Sequence, residues 1–537
     1  MIRLLDKIKF LKNLFFFSKS EKEFIKNNKF FFKNNNNNYN NNNSKNVILV
    51  DLFDWFPWIH FWSFLVNKLA AKTNSNIHFF YFRLYEGFFS KFIFYTFKLK
   101  KIYKSFGASS GIDEFNLNKK LTNINNIQKK IKNIKNKKQL YNYKYKNIRI
   151  GDLIYSNYLR VYLQPTVRLG DKRLEEMFIR AHVIFDNIVY YMSKFNVRCL
   201  VPSHLCYIPY GLISRIAQKK YKVPIIKIFS KNRGKNLFRL IKIDDNLLDE
   251  NPYYNFKKNF SKLSKFEKIK ALKIGKKIIN QRLSNDYDPN LPYMKQNQFN
   301  NKTNFKIMNN KNLKNIFLFA HCYFDNPMRY RNMIFTDFFE QVNYLLKISK
   351  VNKGFQWFYK PHPNELKNNE NYIYELKKKY PNVIFLGNQF SHNLVLKLDP
   401  YLIITNFGTV AHEFAYFKIP VINTGDNPHI NYNFSLNPKN KNELKDMIIN
   451  LNKYKLRLNF KKKNIYEYLY FQYYHYSKKY NAKKLIKDKK LFFDNSNIES
   501  NQEEIIKNIN KNFKANSISL SKYIDCFLNE NFYFLKP

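Results

Sequence analysis

The sequence predicts an α/β fold: two Rossmann-like domains facing a cleft, with helical N- and C-terminal extensions. Three observations predict it. An apolar run over 46–52, a helical pattern over 60–71 and a second apolar run over 77–82 make a strand–helix–strand unit, which implies a parallel sheet. The same alternation returns over 315–423. Three strands of that second stretch end in polar clusters: Ala320-His321, Lys360-Pro361-His362-Pro363-Asn364, and Asn406-Phe407-Gly408-Thr409-Val410-Ala411-His412-Glu413. Ligands of parallel sheets bind outside the carboxyl ends of the strands, so these clusters point to one site for a phosphate-bearing ligand.

Residues 1–27 have the pattern of a basic amphipathic helix, with Leu4, Leu5, Ile8, Leu11 and Phe15 on one face. Packing on the domain is its plainer role, and contact with an anionic membrane the alternative. Residues 34–43 are almost all Asn and suggest a disordered linker, which sets 1–45 apart. The first domain is expected over 46–230, interrupted by a Lys/Asn-rich insertion at 116–147. After Gly151-Asp152 it continues with a helix near 173–195, a strand at 198–202, a helix at 210–220 and a strand at 223–229. Residues 231–312 are polar and form an interdomain connection with some helix. The second domain spans 313–455. Its strands are expected at 315–320, 355–359, 382–386, 401–405 and 420–423, and its helices at 336–350, 366–380, 391–398 and 409–417. The tail, 456–537, is Lys/Tyr-rich and helical.

A chain of 537 residues exceeds one ordinary core. Its net charge of +55 invites a nucleic-acid or membrane partner. Lys, Asn, Ile, Phe and Tyr are enriched together, however, as A/T-biased coding produces, and the lysines are scattered, so no nucleic acid is expected. A weaker preference for anionic lipid or phosphate compounds survives. Cys199, Cys206, Cys322 and Cys526 have no metal-site or disulfide spacing, which fits a reducing cytoplasm. Asp6, Lys7, Lys9 and Lys12 interrupt any signal-peptide core, and Asp54 and His60 break the longest apolar stretch, 53–66.

In the sharpest cluster, Gly408 permits a tight turn and Thr409 can cap the following helix. The free N–H groups there suit a pyrophosphate, and Glu413, one turn on, can accept hydrogen bonds from ribose hydroxyls. Ordinary capping with an exposed Glu explains the same spacing equally well. Two prolines stiffen the loop around His362, which beside Lys360 can hold a phosphate or protonate a leaving group. His321 ends the first strand of the second domain, and Arg329 in the same loop can neutralise phosphate charge. In the first domain, Asp51-Leu52-Phe53-Asp54-Trp55-Phe56-Pro57-Trp58 offers aromatic faces for a sugar and Asp51 or Asp54 as general base; packing within the domain is the plainer alternative. Gly151-Asp152 and Ser203-His204 are weaker candidates of the same kind. Phosphate-loop, dinucleotide and nucleophile-elbow motifs are absent. Asp286-Tyr287-Asp288 lies in a polar loop, so no metal is expected.

On Ala320-His321, His362-Pro363-Asn364 and Gly408 to Glu413, the second domain resembles the nucleotide-binding half of GT-B enzymes. Its spacing is similar to that of UDP-N-acetylglucosamine 2-epimerase, and the His-Pro pair to that of capsule-polysaccharide transferases. The resemblance implies a ribose role for Glu413, phosphate contacts for Gly408 and Thr409, and a His362 that assists the departing nucleotide phosphate. The epimerase's Gly-Thr-Arg-Pro-Glu opening is absent, Cys322 to Asn326 replaces its Arg-Arg-Glu-Asn, and His412 replaces its first Glu. These departures favour a transferase. The expectation is therefore a cytoplasmic, metal-independent, inverting glycosyltransferase of capsule or surface polysaccharide assembly. It needs no cofactor beyond a nucleotide-sugar co-substrate, and its acceptor is a glycan or lipid-linked glycan. Catalysis falls to Asp51, Asp54 and His362, and donor binding to His321, Arg329, Lys360, His362, Asn406, Gly408, Thr409 and Glu413. The alternatives are a sugar-nucleotide isomerase, a CDP-glycerol-type glycerophosphotransferase and a non-enzymatic polyanion binder.

Overall fold

The computed structural model describes residues 16–39, 45–84, 95–228, 238–250, 252–284, 298–299, 310, 312–363, 369–475 and 502–531. Asp286, Asp288, Asn364 and the first part of the expected N-terminal helix lie outside them.

The first sheet contains β1 (Asn46–Asp51), β2 (Asn76–Tyr81), β3 (Ala108–Asp113), β6 (Asn196–Val201), β7 (Ile225–Ile228) and β8 (Phe238–Ile241). A small hairpin, β4 (Lys144–Tyr145) and β5 (Ile148–Arg149), stands apart. The strand order is β3-β2-β1-β6-β7-β8, parallel except for the antiparallel β7–β8 pair. The run Val47 to Val50 is fully buried, because helices cover both faces of a parallel sheet. The chain winds outward from β1 through β2 to β3, then returns to β1's other side as β6. That reversal opens a crevice between the carboxyl ends of β1 and β6.

The second sheet contains β9 (Lys314–Phe319), β10 (Phe355–Lys360), β11 (Val383–Phe385), β12 (Pro400–Thr405) and β13 (Val421–Asn423), in the order β11-β10-β9-β12-β13 and parallel throughout. It repeats the plan of the first, with the reversal between β9 and β12. The expected strands and helices of this domain are found within a few residues of their expected bounds.

The principal helices are α1 (Lys19–Tyr39), α2 (Phe56–Thr73), α3 (Gly151–Tyr162), α4 (Lys172–Lys194), α5 (Tyr207–Tyr221), α6 (Lys265–Leu283), α7 (Phe338–Val351), α8 (Asn369–Lys379), α9 (His392–Lys397), α10 (Val410–Tyr416), α11 (Lys462–Tyr473), α12 (Gln502–Lys511) and α13 (Phe513–Asn531). Helix α1 runs into the Asn tract expected to be a linker. Its Phe24 and Phe32 are buried in one cluster with Phe64 of α2 and Phe513, Leu520 and Ile524 of α13. Helices from both ends of the chain thus cover α2 of the first domain, and Lys68 pairs with Asp525 at 2.8 Å.

Two elements differ from the sequence expectation. Strand β3 (Ala-Ser-Ser-Gly-Ile-Asp) carries little apolar patterning because it lies at the sheet edge. Strand β8 lies in the polar stretch expected to connect the domains, and its antiparallel pairing closes the other edge.

Helices α6 and α11 pack through Gly275. A Cβ there would stand 1.9 Å from the Tyr466 carbonyl oxygen, and backbone cannot yield as a side-chain tip can. Gly275→Ala is expected to lower stability by about 2 kcal/mol or more, read from urea denaturation; an unchanged midpoint would show that the helices separate freely.

Candidate functional site

His321 follows β9, His362 follows β10, and the 406–409 turn follows β12, so neighbouring parallel strands deliver all three to one edge. The His321 and His362 ring centroids are 5.6 Å apart. His321 stacks on Phe338 at 4.3 Å, and its Nε2 lies 3.2 Å from the Tyr330 hydroxyl. Tyr330 packs on Phe407 with centroids 4.4 Å apart. The His-Pro loop, the Ala-His loop and the Asn-Phe-Gly turn therefore form one contiguous surface. Sequence alone did not single out Tyr330, Phe338 or Phe407, because an aromatic residue in a chain this rich in them carries no signal. Burial, with His321 and Lys360 nearby, pulls His362 down to about 3, so its imidazole is neutral at physiological pH.

Arg329 and Asp325 extend this surface toward the first domain. Asp325 Oδ2 lies 3.8 Å from His321 Nε2. Arg329 is exposed and within electrostatic reach of His204, Cys206 and Lys227 of the first domain. Cys206 lies beside Asn326, and Arg331 donates to the Asp249 carbonyl at 3.0 Å. The loop after β9 is thus where the two domains meet.

Three expected donor contacts sit deeper than the sequence suggested. Lys360 is buried on the opposite face of β10 from Tyr359 and points to the Asn388 carbonyl at 3.2 Å and Gln298 at 3.4 Å. Asn406 is buried and donates to Thr424 Oγ1 at 3.2 Å. Glu413 is fully buried. Arg282 of α6 donates to its Oε1 at 2.7 Å, and His392 Nδ1 lies 3.1 Å from its Oε2. Burial alone would raise its pKa, but Arg282 and then His392 more than offset this and hold the carboxyl well below the usual range. Arg282 also donates to Thr409 Oγ1 at 3.3 Å. Glu413 therefore ties the α10 turn to the connecting segment, with Oε1 held by Arg282 and Oε2 facing His392. Arg282 lies in a polar stretch whose pattern gave no hint of this. Gly408 is required for room rather than handedness: a Cβ would meet Thr405 Oγ1 and Val410 Cγ2, each at 2.9 Å.

In the first domain, the reversal between β1 and β6 brings Asp51 to Ser203. Asp51 Oδ2 accepts from the Ser203 amide at 3.1 Å and from its hydroxyl. Burial pushes the Asp51 carboxyl up from 3.8 to about 7, against the pull of those Ser203 bonds. Asp54 is half-buried in the adjacent loop. Asp152, at the start of α3, is instead consumed in a buried bidentate pair with Arg215, with bonds of 2.6 and 2.8 Å. Among the described residues, no group of three or more His, Cys, Asp or Glu side chains could hold a metal ion, and no helix is long and apolar enough to cross a membrane.

No protein-family model matches the chain, and no curated protein does. Among solved structures it is similar to the KpsC β-Kdo 2,4 transferase of Thermosulfurimonas dismutans, at 11% identity over 52% of this chain and 80% of that one, with a TM-score of 0.30. It is also similar to a UDP-GlcNAc 2-epimerase from Neisseria meningitidis bound to UDP-GlcNAc, at 13% identity over 80% of this chain and 98% of that one, with a TM-score of 0.25.

Two outcomes follow from the buried charges. Glu413→Ala leaves Arg282 buried without its carboxylate, and stability is expected to fall by about 3–5 kcal/mol in urea denaturation. Asp51 holds its proton to about pH 7 in the folded state but only to about 3.8 when unfolded. Its contribution is therefore fully present below the lower value and lost as pH rises through the higher. Thermal melts at pH 5.5 and pH 8 are expected to show a larger drop for the wild type than for Asp51→Asn; equal drops would refute the assignment.

Proposed function

We propose that the protein is a glycosyltransferase that moves a sugar from a nucleotide-sugar donor to a glycan or lipid-linked acceptor in capsule or surface polysaccharide assembly. The observation that carries this is the meeting of His321, His362 and the Phe407-Gly408 turn at the reversal point of the second sheet, opposite Arg329 and the first domain's own reversal point. Parallel sheets bind nucleotides at such points, and two of them facing each other suit a donor on one side and an acceptor on the other.

On this reading Arg329, Gly408 and Thr409 hold the donor phosphates, and His321 and His362 line the bond to be broken. A neutral imidazole can donate a hydrogen bond to the departing phosphate oxygen. Lys360, Asn406 and Glu413 act from behind, fixing the loops that carry those contacts. The base that takes the acceptor proton belongs to the Asp51 region. Direct displacement inverts the anomeric centre, and Arg329 and the histidines would offset the developing charge without a metal.

A thermal-shift screen against UDP-, GDP-, CMP- and CDP-linked sugars is expected to show one class raising the melting temperature, with the shift lost in Arg329→Ala and reduced in His362→Ala. An isomerised sugar nucleotide formed without acceptor would favour an isomerase. No shift with any class would overturn the donor site.

A further inference from the structure

Three groups of the first domain stand in line at its reversal point. Asp51 Oδ2 accepts from the Ser203 hydroxyl, and Ser203 Oγ lies 2.9 Å from His204 Nδ1. The Ser203 amide also donates to Asp51 Oδ2 at 3.1 Å, so that oxygen must be an acceptor. The only proton on the hydroxyl is then given to Asp51, and Nδ1 must carry the proton on the imidazole side. His204 Nε2 is left with its lone pair. It has no protein partner among the described residues, and the residue is half-buried.

The imidazole is held in a cage of aromatic rings. Phe53 lies at 5.7 Å, Trp58 at 6.0 Å and Tyr210 at 5.2 Å between centroids. Two residues on, Cys206 lies beside Asn326 of the second domain, which places His204 on the side of the first domain that meets the donor loops. Asp51 itself is only 2% exposed and has no route of its own to a substrate hydroxyl.

We infer that His204 is the general base for the acceptor hydroxyl, and that Asp51 acts through Ser203 as a positioning residue. This rests on the glycosyl-transfer reading above. The acceptor O–H proton passes to Nε2. The oxygen's electron pair forms the new bond to the anomeric carbon, and the bond from that carbon to the nucleotide phosphate breaks, its pair leaving on phosphate oxygen. The imidazolium so formed keeps its Nδ1 proton directed at Ser203 Oγ, whose own proton stays on Oγ and points at Asp51 Oδ2. Above about pH 7, where Asp51 has lost its proton, the imidazolium charge is met by the carboxylate across one hydroxyl.

The charged groups facing His204 make the device responsive to donor. Burial, followed by Lys227 on β7 and Arg329 from the second domain, keeps the imidazole neutral, at about 3; Asp54 lies beside Asp51. A bound donor diphosphate would neutralise the two cations and so strengthen the base when there is something to attack.

The test uses the full chain and whichever UDP-, GDP-, CMP- or CDP-linked sugar raises its melting temperature, with hydrolysis of that sugar nucleotide as the readout. His204→Ala is expected to lower the turnover number about a hundredfold with the melting shift intact, and added imidazole is expected to restore part of it. His204→Gln, which keeps volume but cannot take the proton, should match His204→Ala without rescue. Ser203→Ala and Asp51→Asn should lower turnover about tenfold with KM unchanged. Wild-type turnover in His204→Ala, or a loss of nucleotide binding equal to the loss of turnover, overturns the inference. An independent arm needs no substrate: diethyl pyrocarbonate should modify His204 in the wild type and at least several-fold more slowly in Ser203→Ala, as judged by peptide mass spectrometry. If no sugar nucleotide binds but this rate difference appears, the glycosyl-transfer reading fails and the hydrogen-bonded relay stands; equal rates overturn the relay.

Discussion

Winding direction is the constraint from which the rest follows. Each sheet begins with a central strand, builds outward on one side, then crosses back to the other. Crossovers are right-handed, so the loops leaving the two strands at the reversal must part, and a crevice opens between them. In the first domain those loops carry Asp51 and Ser203-His204. In the second they carry His321 and Asn406 to Thr409. The pairing of β9 with β12 brings His321 and Phe407, distant in sequence, onto either side of one tyrosine.

Desolvation then sets the chemistry at both crevices. His362 and His204 lose their charge mainly through burial, with cations as a second cause. Asp51 is pushed toward neutrality by the same effect. Glu413 is the contrast, since an equally buried carboxylate stays ionised because Arg282 faces it at 2.7 Å. Groups with a partner are fixed in charge and hold the architecture. Where no opposite charge offsets burial, as at His362, His204 and Asp51, the neutral form is favoured.

Much of the fold was legible in the sequence. Parallel strands are buried on both faces, so 47–50 and 316–320 stand out as unbroken apolar runs, and the polar clusters at their ends mark the binding edge. What the pattern could not carry was partnership. Lys360, Asn406 and Glu413 have the right residue types at the right spacing, yet burial turns them inward. Arg282 and His392 hold Glu413 from segments 131 and 21 positions earlier in the chain, and nothing local announces them. The Ser203-His204 pair was visible as a strand-end motif, but its connection to Asp51 depends on β1 and β6 being neighbours, which only the strand order provides. Strand β3 escaped notice because an edge strand needs little apolar character, and β8 because it is a four-residue strand within a polar stretch.

The covering of α2 by helices from both ends of the chain has a consequence for biosynthesis. Residues 314–423 hold every strand of the second sheet in one continuous stretch, so that unit can close as soon as it leaves the ribosome. The first sheet is made earlier, yet its outer hydrophobic layer waits for α13, at 513–531. During translation α1 can cover part of the aromatic face of α2 at once, but the part that packs on Phe513 and Leu520 stays exposed until residues 513–531 have emerged.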